Sequence, residues 1–290
     1  MRKPNRQNAS EARFALFAVA PAALLVISVV VIPIIASFWL SFQATDGISV
    51  SFVGWSNYIR LLFDRTVHEV FLVNLKFLLS VPLVVASSLI CGVLLYERVW
   101  GWQVFRVVFF IPSVLSTVVI GLVFHSTFAY SGPINGMIGQ VGLGPINFFG
   151  SADSAVMVIN LALVWAGFGY ATLIVLAGLA AIDKDVFAAA SLDGAGWWQR
   201  LWFITLPQLK RTLIFVSIIN VIYTFTSLFG FIFVMTSGGP GYSTTTIDFL
   251  IFQKAFSSAD MGQGAALAVL VFLLVGLLTL AQVQLLRRVR

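Results

Sequence analysis

Apolar and polar positions alternate coarsely along the 290 residues, in long uncharged runs separated by short polar segments. Runs of about twenty apolar residues or more match the length of a helix crossing a bilayer. They lack the period-two alternation of a membrane strand, so the pattern predicts helices. The candidate spans are Phe14–Phe42, Phe71–Tyr96, Val107–Tyr130, Ala155–Ile182, Thr212–Met235 and Gly264–Leu286. Pro21, Pro33, Pro82 and Pro112 lie inside or near the starts of spans, and Pro33 is expected to kink the first. Ala18-Val19-Ala20 looks like a signal-peptidase site after a basic start, yet the run continues far past it, so an uncleaved first helix is expected.

Composition agrees with that pattern: 60% of the chain is hydrophobic and 10% charged. A soluble domain is about 25% charged, so this chain needs the bilayer as solvent. In lipid, backbone polar groups must pair internally, which leaves an all-α integral membrane protein. The excess of 17 Lys and Arg over 11 Asp and Glu is not gathered on a soluble face, so nucleic acid is not an expected partner. It is distributed by side. Arg2, Lys3, Arg6, Arg13, Arg98, Arg106, Lys184, Arg200, Lys210, Arg211, Arg287, Arg288 and Arg290 share one side, whereas Arg60, Arg65 and Lys254 hold the other. The rich side is expected to be cytoplasmic, with both termini there and an even number of spans. Ser131–Asp153 carries no Lys or Arg and reads as a glycine-rich cap with Pro133, Pro145 and Asn147; Ser237–Ser243 reads as a second turn cluster.

Catalytic and metal chemistry has no visible foothold. The glycines at 136, 139, 142 and 144 are not followed by Gly-Lys-Ser/Thr, and His68 and His125 stand apart without further ligands. Cys91 lies within an apolar run. No pair of carboxylates faces another within a span, so any uphill transport would draw its energy from a partner.

The polar segment Asp183–Arg211 reads as structure. Asp183 can cap a short helix through Phe187–Ala190 that stops at the Asp193-Gly194 turn. A second short helix would place Trp198, Leu201, Trp202 and Thr205 on one face and end near Leu206-Pro207. On pattern alone this is either a lipid-surface helix or a docking surface for another protein.

Ala189-Ala190-Ser191-Leu192-Asp193-Gly194-Ala195, followed by Ile204-Thr205-Leu206-Pro207, resembles the "EAA" loop of binding-protein-dependent ABC importer permeases. Phe14–Phe42, Phe52–Tyr58, Gly101 with Phe105-Arg106 and Ile111-Pro112, and Thr236–Pro240 are similar to the carbohydrate-uptake branch of that family, and to its first (maltose/glycerol-phosphate-type) permease. Ala188 replaces the loop's usual glutamate, Leu201 a phenylalanine, Arg211 a second proline and Gly230 a frequent aspartate. The resemblance implies a six-helix permease domain over 14–290, preceded by a cytoplasmic tail over 1–13. It implies a bacterial plasma (inner) membrane location, a second similar permease, an extracytoplasmic solute-binding protein and a cytoplasmic ATPase dimer that holds ATP and Mg. Ala189, Ala190, Asp193, Gly194, Ala195, Trp198, Leu201, Trp202 and Pro207 would then dock that ATPase. A channel or secondary transporter and a membrane enzyme are the rival classes; the first would move a small polar solute without an ATPase.

The expected solute path lies on the fifth span. Ser217, Asn220, Tyr223, Thr224 and Ser227 recur at helical spacing, with Thr224 roughly 20 Å from Arg211 at 1.5 Å per residue. Such a stripe serves either helix–helix hydrogen bonding or a sugar-like solute, with Asn220, Thr224 and Ser227 bonding hydroxyls and Tyr223 stacking. Tyr170 of the fourth span is expected opposite, where Gly167 and Gly169 leave room.

Overall fold

A computed structural model of the chain describes residues 6–45 and 48–288. The basic residues Arg2, Lys3 and Arg290 and the first part of the predicted tail lie outside them. Among the described residues, six helices are long and apolar enough to cross a membrane. The residues divide into two compact units, one running to Phe63 with Ile251–Leu270, the other Asp64–Leu250 with the residues from Val271.

In the first unit the helix begins at Arg6, ahead of the predicted start, and continues through a wide turn at Ile27–Val31 into Ile32–Leu40. Pro33 follows that turn by two residues. A proline lacks an N–H and its ring presses on the carbonyl four residues back, here Val29; the five-residue turn holds that carbonyl and relieves the conflict. A ribbon of Gln43–Thr45 and Val50–Phe52 follows, paired antiparallel with Gln43 opposite Phe52. The start of its first strand is tied by buried Asn57, whose Nδ2 donates to the carbonyls of Ser41 (3.0 Å) and Gln43 (2.8 Å). Phe42, Trp55 and Tyr58 cluster around it, with ring centroids 5.1 to 5.5 Å apart. Gly262 packs against the Gln43 carbonyl, where a Cβ would collide.

In the second unit the core forms where the helix Ser80–Tyr96 crosses Ala152–Ala180. Val84, Val93, Ala171, Val175 and Leu179 pack there with Leu209 and Val216. Gly92 makes the crossing close, since a Cβ would stand 2.7 Å from Val175 Cγ1. Three predicted spans are corrected. The second starts earlier, as Arg65–Phe77 capped by Asp64, and steps at Leu78-Leu79 into Ser80–Tyr96, so Pro82 falls in a first turn that needs no N–H. The third is two helices, Trp102–Val114 and Thr117–Phe128: Leu115 is extended and Ser116 caps the second, accepting from the Val119 N–H at 3.3 Å. The fifth runs from Trp197 to Thr226, then breaks before a separate short helix, Phe229–Met235. The first, fourth and sixth spans stand close to their expected ranges.

Candidate functional site

The short helix Lys184–Leu192 forms as its sequence requires. Asp183 Oδ1 accepts from the Asp185 N–H at 3.0 Å, and Phe187 packs back onto the core. It ends at Asp193-Gly194, with Gly194 at φ +77°, a conformation that costs any residue with a Cβ roughly 1–2 kcal/mol. Among the described residues, apart from its chain neighbours, nothing lies within 4 Å of where a Gly194 Cβ would stand. Ala189 is exposed, as is Leu192, at 89%.

The following segment departs from expectation. It does not end at Pro207, which is exposed and continues in Leu206–Thr226. A wide turn at Leu201–Thr205 stands two residues before the proline, the arrangement already met at Pro33. This turn carries an extra residue and splits the predicted face. Leu201 packs on the core and Thr205 is buried, whereas Trp198 (66%) and Trp202 (60%) are exposed. Two contacts had no signal in the pattern. Trp197 Nε1 donates to Glu97 Oε1 at 2.6 Å, linking this segment to the end of the second span, and Arg200 donates to Ser191 Oγ at 3.1 Å.

The polar stripe lies at the other end of the same helix. Gly167, Tyr170, Asn220, Tyr223 and Thr224 all line one pocket of about 220 Å³. Asn220 Nδ2 donates to the Val216 carbonyl (2.8 Å) and Thr224 Oγ1 to that of Asn220 (2.9 Å), which leaves the Asn220 side-chain oxygen toward Gly167. A Cβ on Gly167 would stand 3.4 Å from that oxygen and 3.3 Å from Val84 Cγ2, so the glycine keeps the pocket open. Ser227 and Ser217 are not among its lining residues; Ser227 terminates the helix and Ser217 bonds the Leu213 carbonyl. Gly169 is a correction too: it faces away, against the backbone of Phe109, and serves helix contact. The second and third spans supply Ser80, Ser113 and Thr117, which the reading of the fifth span passed over. The Ser113/Thr117 spacing beside Pro112 was the available signal.

Beyond the pocket, Asp248 is held by the Phe229 N–H (2.7 Å) and Phe249 N–H (2.9 Å), with Thr246 Oγ1 also donating. Burial pushes its carboxyl above the ordinary range, and the bonds from Thr246 and the backbone pull it back. His125 Nδ1 pairs with the Met235 carbonyl at 2.8 Å while its ring stacks on Phe149, so it braces the short helix. Gly230, at the position of the frequent aspartate, packs against Thr117, which leaves no room for a side chain.

Residues 84–290 match the family model described as "Binding-protein-dependent transport system inner membrane component". The chain is 34% identical over 269 residues to a trehalose/maltose transport system permease protein of Thermococcus litoralis, covering 91% of this chain and 90% of that one. It is 33% identical to a sulfoquinovosyl glycerol transport system permease protein of Agrobacterium fabrum, covering 90% and 86%. Its fold superimposes on a chain of a bacterial ABC transporter involved in alginate import with a TM-score of 0.83 at 18% identity, covering 98% and 99%. A chain of the MetNI methionine ABC transporter matches with a TM-score of 0.60 at 17% identity, over 81% of this chain and 99% of that one.

Proposed function

The chain belongs to the inner membrane components of binding-protein-dependent transport systems, and from that membership we propose that it forms half of the translocation pathway of an ATP-driven sugar importer. The observation that carries the reading is the pocket itself. Five residues singled out for a solute path from sequence line one cavity among four spans of a membrane protein. A half-buried amide and buried hydroxyl groups beside a tyrosine ring suit a solute rich in hydroxyls, which needs hydrogen bonds for its edges and an apolar face for its ring. A sugar or sugar-like solute is the class we assign, in keeping with the trehalose/maltose and sulfoquinovosyl glycerol transport systems of the relatives.

The remaining parts follow from the same membership. A second, similar permease completes the pathway, and a solute-binding protein delivers the solute from outside. A cytoplasmic ATPase dimer holds ATP and Mg and docks on Ala189, Ala190, Asp193, Gly194, Ala195, Trp198 and Trp202; Leu201 and Pro207 act from behind that surface. We place the chain in the bacterial inner membrane with both termini and residues 183–211 cytoplasmic, from the basic asymmetry of 13 against 3. Cysteines introduced at Gln199 and Ser151 should label from inside and outside respectively, and the reverse pattern would overturn the orientation.

The functional test is uptake. Asn220→Ala and Tyr223→Ala are each expected to reduce it about tenfold, the cost of one buried hydrogen bond to a polar solute, while the complex still assembles. Normal uptake by both variants would leave the pocket a packing feature. Proteoliposomes holding this chain alone should pass no solute, and flux through them would instead establish an ATPase-independent channel.

A further inference from the structure

The pocket's polar wall lies at a point where its helix stops. The fifth span ends at Thr226, and the next helix begins at Phe229. Such an ending leaves carbonyls without their N–H partners four residues on, and the new start leaves N–H groups without carbonyls. Thr224 and Leu228, on the two sides of this break, are buried, so the backbone groups left there need partners from elsewhere.

Asn74 supplies the first partner. It is fully buried in Arg65–Phe77, its Nδ2 donates to the Thr224 carbonyl at 2.8 Å, and its Oδ1 accepts from the Ile247 N–H at 2.8 Å. Asp248, the residue after Ile247, supplies the second. Its Oδ2 accepts from Phe229 N–H at 2.7 Å, and it is bonded by the Leu228 N–H as well. One amide and one carboxylate, adjacent through Ile247, thus close the two sides of a single helix break. Thr224 lines the pocket and gives its carbonyl to Asn74, with Tyr223 beside it.

We propose that Asn74 and Asp248 are positioning residues for the solute pathway: they hold the broken end of the fifth span so that Tyr223 and Thr224 face the pocket. Neither lines that pocket, and their effect on the solute passes through the backbone. The inference rests on the reading of the pocket as a solute path.

The test uses the full chain and begins without solute. In a Cys91→Ala background, Tyr223→Cys and Tyr170→Cys report two walls of the pocket through their rates of maleimide labelling. Adding Asn74→Leu or Asp248→Asn should change the Tyr223→Cys rate about tenfold, the scale of one buried hydrogen bond, and leave Tyr170→Cys within about twofold. Equal changes at both walls are what a general loss of packing would give, and they overturn the proposal. An unchanged rate at both does so too. Should Asn74→Leu fail to reach the membrane, Asn74→Asp takes its place, since it keeps the acceptor for Ile247 and loses the donor to Thr224. Uptake then separates the proposal from the reading beneath it. Normal uptake by Tyr223→Ala removes the solute path while the labelling result stands. Lost uptake by Tyr223→Ala, with labelling unmoved by Asn74→Leu and Asp248→Asn, removes the positioning role alone.

Discussion

The two ends of the fifth span are built on opposite terms. At the Thr226 end the polar groups are buried and paired within the chain: Asn74 and Asp248 close the break, and Thr224 is 2% exposed. At the Trp197 end, Trp198 and Trp202 project as exposed aromatics, and Phe203 beside them is 79% exposed. Leu192 lies nearby, and Gly194 has open space around it. A surface that satisfies itself holds its shape alone, whereas one that leaves large apolar side chains uncovered needs lipid or a partner to cover them. The first end fixes its groups within the chain itself. The second is made to be covered.

The contrast is broken most severely at Gly194. If an ATPase docks on this loop as proposed, Gly194→Leu should abolish solute-stimulated ATP hydrolysis, because the side chain would project into that contact. Gly194→Ala sharpens the point. It meets no atom of the described residues beyond its chain neighbours, so it carries only the strain of positive φ, about 1 kcal/mol, and should retain measurable uptake. Equal loss from both variants would assign the defect to backbone strain and not to docking. A smaller effect is expected from Trp198→Ala combined with Trp202→Ala. If these rings are covered by the ATPase, its retention during purification should fall about tenfold, in the range of interface aromatic anchors. Unchanged retention would leave the rings to the lipid surface. Trp197→Phe is the mildest. It removes the donor to Glu97 and should lower coupled ATP hydrolysis about two- to threefold, as suits one exposed hydrogen bond. Hydrogen exchange over residues 184–196 would check whether the loop loosens as that loss requires.

The same contrast explains what could be read from sequence. Local patterns carried the two features that local physics controls: the Asp183 cap with its Gly194 turn, and the helical recurrence of Asn220, Tyr223 and Thr224. Apolar runs likewise located the membrane helices. What they could not show was where those helices break. The stop at Thr226 depends on Asn74, 150 residues before its bonded partner Thr224, and on Asp248, 19 residues after Phe229. An apolar run reads the same on either side of such a break. Ser227 falls outside the pocket for that reason: helical spacing points to it, but the helix ends one residue before it. Leu201 and Thr205 part from the tryptophans because the turn at Leu201–Thr205 does not keep an even helical period.

That uneven turn ahead of Pro207 has a consequence for any exchange of parts between such proteins. One residue inserted into a helix advances everything beyond it by about 100°. The aromatic face near Trp198 and the polar wall near Asn220 therefore keep their mutual bearing only while the extra residue stays between them. Deleting one residue from Leu201–Thr205 would leave both sequences otherwise intact and yet point them in different directions. A graft of residues 183–207 from a relative would accordingly have to carry its own wide turn and proline along, with the seam placed beyond Pro207.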